Sequence, residues 1–145
     1  MNVFGTDKSD TGNFKQTETA RTNNKSDMHA VQQARKAMGD KPVIVVSTLA
    51  IPFVLGEIEP YADVIFLTFY TQNQIILEFM TGASEPSGLL PFQMPADMKT
   101  VEDQFEDVPL DMNCYVDSEG NAYDFAFGLN WSGVINDERV RKYKR

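Results

Sequence analysis

Pro42-Val43-Ile44-Val45-Val46-Ser47 and Asp63-Val64-Ile65-Phe66-Leu67-Thr68-Phe69 are two apolar, β-branched runs with no polar alternation. A strand with one wet face alternates, whereas a strand covered on both faces reads as a continuous apolar run, so both stretches suit a parallel sheet. Fifteen residues, Thr48 to Ala62, separate them. That is enough for a crossover with a short helix starting near Pro52 and ending by Pro60. The unit reads as a right-handed βαβ crossover.

Helical patterns flank this unit. Upstream, Ser26 offers an N-cap, Met28, Val31, Ala34, Arg35 and Met38 recur at helical spacing, and Gly39 supplies a stop. Downstream, Ile75, Ile76, Phe79 and Met80 share one helical face, and Gly82 ends it. Helices and strands alternate, so the expected fold class is α/β.

After Gly82 the character changes. Pro86, Pro91 and Pro95 cannot donate to a ladder, so Leu89 to Met94 is expected as an edge strand or an extended segment laid across the sheet. Met98, Val101 and Phe105 fit a short amphipathic helix. Asp117-Ser118-Glu119-Gly120-Asn121 reads as the turn of a β-hairpin between Tyr115-Val116 and Tyr123, Phe125 and Phe127. At the front, Asn2 to Asn24 is dominated by polar residues and cannot bury itself, so residues 1–25 are expected to form an irregular arm. Asn2-Val3-Phe4-Gly5-Thr6 within it reads as the stub of a strand.

Charge narrows the function classes. Met1 to Lys41 carries seven Lys/Arg against five Asp/Glu, but Pro42 to Glu138 carries one base, Lys99, against sixteen acids. A nucleic-acid partner would need a basic stripe to displace phosphate counterions, and this surface has none. The basic stretch at the end falls in residues 136–145 and is expected to be a solvated tail. No apolar run has the length of a membrane span, and no secretory signal pattern opens the sequence. Cys114 is the only cysteine, which excludes an intramolecular disulfide and a cysteine-based zinc site.

Gly82-Ala83-Ser84-Glu85-Pro86-Ser87-Gly88-Leu89-Leu90-Pro91-Phe92-Gln93-Met94-Pro95 resembles the C-terminal domain of glycoside hydrolase family 3, where a helix-ending glycine is followed by Pro-Ser-Gly, Leu-Pro and a second proline. Gly39-Asp40-Lys41-Pro42-Val43-Ile44-Val45-Val46 is similar to the family's Lys-Pro-Val strand, and Ala62-Asp63-Val64-Ile65 to its next one. Asp107-Val108-Pro109 and Phe125-Ala126-Phe127-Gly128-Leu129-Asn130-Trp131 resemble the family's closing blocks. Pro86 would preset a turn, Gly88 would tolerate φ > 0, and the aromatic-glycine run would permit close backbone approach. The order of the blocks matches over residues 26–135. Ala126, Asn130 and Trp131 depart from the usual Gly, Ser and Tyr. The family's Gly-Gln-Glu-x-Gly loop is shortened here to Tyr70-Thr71-Gln72-Asn73-Gln74, which puts sugar contacts from this loop in doubt.

The resemblance implies a partial three-layer α/β sandwich with a mostly parallel sheet, followed by an extended C-terminal segment with a β-hairpin. It also implies a β-glucosidase-type, retaining hydrolase of O-glycosyl bonds, with no cofactor. Family members carry an aspartate nucleophile on a (β/α)8 barrel, and many carry a glutamate acid/base on a loop of the sandwich. Such carboxylates stand about 5–5.5 Å apart. A barrel takes about 250 residues, so the expected partners of this chain are the barrel and the rest of the sandwich, with carbohydrate as substrate of the whole. By itself the chain is expected to be inactive. The alternative is a non-catalytic carbohydrate-binding or dimerising module, and homo-oligomerisation fits either. The compartment stays open, since an intact member could be periplasmic or secreted.

Glu18 is the one glutamate in the stretch that would correspond to the acid/base loop, and it is the catalytic candidate, although no motif supports the transfer. His29 has no second histidine to join and reads as a solvated helix residue. Asp117-x-Glu119-x-Asn121 is similar to a calcium loop, but Gly120 and Gly128 stand where that motif needs other residues, so a plain turn is the expectation and no metal is assigned. Glu102, Asp103, Glu106 and Asp107 read as a solvated acidic face. Trp131, Phe125 and Phe127 could stack on a sugar ring, with packing onto the sheet the favoured role.

Overall fold

A computed structural model describes residues 25–105 and 107–144. Its elements in chain order are α1 (Lys25–Met38), β1 (Ile44–Thr48), two 3-10 turns (Leu55–Glu57 and Glu59–Tyr61), β2 (Val64–Thr68), α2 (Asn73–Thr81), α3 (Met98–Asp103), β3 (Leu129–Asn130), β4 (Gly133–Val134) and α4 (Glu138–Tyr143). β1 and β2 pair in parallel, with Ile44 opposite Val64 and Thr48 opposite Thr68. The α/β reading therefore holds as a two-stranded parallel sheet flanked by helices.

Alternation along the strands sorts the side chains onto two faces. Val45, Ile65 and Leu67 pack against a buried cluster of Leu49, Phe53, Leu55, Ile58, Leu90, Met94 and Phe127, which Met28 and Val31 of α1 also join. The opposite face carries Phe66, whose ring stacks on Phe79 of α2 at 6.1 Å. Its neighbours Ile44, Val46 and Val64 stay 41%, 37% and 38% exposed. This corrects the reading of both runs as covered on both faces, because beside the Phe66–Phe79 stack these aliphatic side chains remain exposed.

Helix ends follow the glycines. Gly39 and Gly82 adopt φ of 56° and 74°, the left-handed conformation that side chains resist. α1 begins at Lys25, so Ser26 lies inside its first turn rather than capping it. The connection from Thr48 to Ala62 forms 3-10 turns and no α-helix. Pro52 and Pro60 leave too short an uninterrupted stretch for a stable α-helix, and Phe53, Leu55 and Ile58 instead plug the core.

Leu90 to Ala96 is hydrogen-bonded along its length to the C-terminal segment. Leu90 N–H donates to Phe127 O at 2.7 Å and Ala126 N–H to Leu90 O at 2.8 Å. Met94 N–H donates to Tyr123 O, Tyr115 N–H to Met94 O, and Ala96 N–H to Asn113 O. Met94, 0% exposed, thereby joins the C-terminal segment to the sheet's core. The hairpin expected at 115–127 forms as one antiparallel bridge, Val116 to Ala122, around a turn with Gly120 at φ 86°. The tail is not wholly free either: Asp137 caps α4, and the Arg139 guanidinium donates to Ser87 O at 2.8 Å.

Candidate functional site

In open α/β sheets, ligands gather at the carboxyl ends of parallel strands. Here that edge carries the Thr48 and Thr68 hydroxyls, 3.2 Å apart, with the Thr68 hydroxyl also 3.4 Å from Ser47 O. The chain then turns through Phe69 and Tyr70 into α2. Phe69 is held edge-on by Phe92 at 5.9 Å. Tyr70 has φ of 57° and is 80% exposed. Gln72 precedes α2, and its side chain makes no capping hydrogen bond. Beyond Phe92 lies an open depression of about 460 Å³ lined by Phe92, Gln93, Phe105, Leu110, Asp111 and Phe125, among others.

At the other end of the strands, Arg35 organises the entry. Its guanidinium donates to Tyr61 O at 3.1 Å, Lys41 O at 3.3 Å, Gly39 O at 3.4 Å and the Asp63 carboxylate at 2.5 Å. Asp63 also accepts Val43 N–H at 2.7 Å. That backbone bond, and after it Arg35, holds the Asp63 carboxyl below its usual range. The sequence pattern places Arg35 on the apolar stripe of α1; a charge in that stripe was the signal that its stem packs inward while its head finds polar partners.

A polar knot that pattern reading missed fixes the C-terminal segment. Buried Gln93 donates to Asp124 Oδ1 at 2.8 Å and to Cys114 Sγ at 3.3 Å, while its Oε1 accepts Met112 N–H at 3.2 Å. Burial tends to raise the Asp124 pKa, but hydrogen bonds from Gln93, the Phe125 amide and Cys114 outweigh it and hold the carboxyl low. The same burial, with the Asp124 charge, pushes the Cys114 thiol up to about 11, which leaves it an unreactive neutral group. The one visible clue was a lone Gln between Pro91 and Pro95.

Among the described residues, the candidates named from the sequence do not converge. Glu18 lies outside the described residues, as does Glu106. His29 is exposed on α1, 3.2 Å from Gln33 Nε2. The Asp117 carboxylate accepts Glu119 N–H, Asn121 N–H and Asn121 Nδ2–H at 2.8–3.0 Å, so the turn uses its own acid. Asp103 pairs with Lys99 one turn away, and Asp107 is exposed. Among the described residues no group of three or more His, Cys, Asp and Glu could hold a metal ion. Phe127 is buried, Phe125 sets its ring edge-on to Tyr143 at 6.4 Å, and Trp131 is 56% exposed with its backbone N–H on Glu85 Oε1.

Comparison with known proteins gives this arrangement a relationship. "Probable beta-glucosidase C" of Aspergillus flavus and its namesake in Aspergillus oryzae are each 32% identical over 107 residues, covering 74% of this chain and 16% of those proteins. "Beta-glucosidase C" of Emericella nidulans is 30% identical over 105 residues, 71% of this chain and 16% of its own length. The chain is related to beta-glucosidases. It spans about one sixth of the length of these beta-glucosidase C relatives. No family model matches the chain, and no solved structure matches it significantly.

Proposed function

We propose that this chain is a segment of the second, α/β-sandwich domain of a glycoside hydrolase family 3 enzyme of the β-glucosidase type. The observation that carries the reading is the likeness to beta-glucosidase C over 71–74% of the chain, at only 16% of those proteins' length. The fold is compatible with it, because a parallel pair with α1 and α2 on opposite faces is what a portion of a three-layer sandwich would contain. In a retaining hydrolase two carboxylates from separate folding units flank the glycosidic bond. A chain of 145 residues has no room for the barrel that would carry the nucleophile. Its role is then to complete the domain that faces the barrel, and it is inactive alone.

The test is turnover of an aryl β-glucoside by the purified chain, alone and mixed with a beta-glucosidase C relative from which the matching segment has been deleted. No turnover alone and restored turnover in the mixture is the expected result; robust hydrolysis by the chain alone would refute it. A second reading, a non-catalytic module that dimerises through the sheet, is favoured by the exposure of Ile44, Val46 and Val64. It requires a concentration-dependent dimer, which sedimentation would detect.

A further inference from the structure

Among the described residues, three other than glycine have positive φ: Tyr70, Leu110 and Ala126. Ala126 is buried, and its amide donates to Leu90 O, so the surrounding ladder imposes its conformation. Tyr70 is different. At 80% exposed it has the greatest exposure among the large hydrophobic residues described, so packing of its ring does not explain the backbone strain. A bulky aromatic in the left-handed region costs free energy that glycine would not, and strain of this kind gathers at ligand sites.

Its position gives the strain a use. Tyr70 follows β2 at the carboxyl edge of the parallel pair, where a ligand of an α/β sheet sits. Phe69 beside it is fixed against Phe92, which makes the base of the turn rigid. The next residues, Thr71, Gln72, Asn73 and Gln74, supply a hydroxyl and three side-chain amides, with Gln72 and Asn73 exposed. An exposed aromatic face next to amide donors and acceptors is the chemistry that recognises a pyranose ring, through its C–H face and its hydroxyls.

We propose that Tyr70 is a stacking platform for a β-linked glucose unit, with Gln72 and Asn73 reaching its hydroxyls. The choice of ligand rests on the β-glucosidase reading above; the site itself rests on the Tyr70 geometry. It is a binding residue, not a catalytic residue, and it restores to the shortened 70–74 turn a sugar-contacting role by other means than the longer loop.

Cellobiose is titrated into the chain while the backbone amide resonances of residues 69–74 are followed, for wild type, Tyr70→Ala, Tyr70→Trp and Tyr70→Gly. Wild type and Tyr70→Trp should shift these resonances saturably, and Tyr70→Ala should weaken binding about tenfold. Tyr70→Gly should weaken it as much, yet melt at or above the temperature of Tyr70→Ala, because glycine relieves the strain. Equal affinity of Tyr70→Ala and wild type would overturn the platform, as would shifts confined to other residues or no binding by wild type. None of these outcomes touches the complementation assay, so the platform and the family reading fail separately.

Discussion

Gly128 lies against the carbonyl of Gly88, so that a Cβ at position 128 would overlap that oxygen and meet Leu89 Cδ2 at 3.0 Å. Two blocks of the sequence forty residues apart are thereby pressed backbone to backbone. Next to this contact Leu90 N–H donates to Phe127 O and Leu90 O accepts Ala126 N–H, Arg139 grips Ser87 O, and the Trp131 amide rests on Glu85. The Pro-Ser-Gly turn is thus a docking platform for the C-terminal segment. Its glycine serves the carbonyl that is approached, not a left-handed φ, since Gly88 is absent from the positive-φ glycines.

The first prediction contrasts the two glycines. Gly128→Ala must move backbone rather than a flexible side-chain end, and should cost about 2–3 kcal/mol. Gly88→Ala meets nothing within 4 Å and needs no unusual φ, so it should stay within about 0.5 kcal/mol of wild type. Denaturant midpoints of the two variants check this, and equal losses would show that the close approach is not what position 128 requires.

How much of this was legible beforehand depends on which interactions are local. The strands, α1 and α2 could be read because periodicity and glycine stops act over a few residues, as at Gly39 and Gly82. The route from Thr48 to Ala62 could not, because Phe53, Leu55 and Ile58 are recruited into a core assembled from distant segments, and tertiary burial overrides a helical guess. Aromatic-glycine spacing hinted at close approach, but not that Gly88 is the partner of Gly128. For the candidate site, the Tyr70 turn was visible only as a shortened loop, since nothing in a sequence marks a tyrosine with positive φ. Glu18 remains a sequence-level candidate outside the described residues.

Arg35 is the subject of a second prediction. Arg35→Ala removes donors from three carbonyls and from Asp63 at the point where α1 hands over to both strands. Because the side chain is 27% exposed, the loss should be moderate, about 1–2 kcal/mol. Arg35→Lys should recover little of it, since an ammonium cannot fork across these acceptors. The sign with pH is also fixed: the Asp63 pKa is lowered in the fold, so its contribution is present at neutral pH and is lost as pH falls through its folded value. A thermal-melt series down the acid limb should therefore be flatter for Asp63→Asn than for wild type.

The third prediction concerns alkali. Cys114 and Tyr115 are adjacent, Tyr123 N–H donates to Tyr115 O across the turn, and burial raises all three: the thiol from 9.0 to about 11, and each phenol from 10.0 to about 12. Negative neighbours add to this, Asp124 for the thiol, Glu59 for Tyr115, and Asp117 with Glu59 for Tyr123. In each case the unfolded chain loses its proton first. Stability is therefore whole below about 9 and falls as pH rises through the window from 9.0 to about 12, with the C-terminal segment the first to loosen. Tyr123→Phe removes one titrating group from the fold and the unfolded chain alike, so its alkaline limb should be shallower than that of wild type. A thiol reagent gives the independent readout, because Cys114 should stay unmodified at mildly alkaline pH in the native protein and react at once in denaturant. Rapid labelling of the folded chain below pH 9.0 would mean that the Gln93-Asp124-Cys114 knot is not closed in solution.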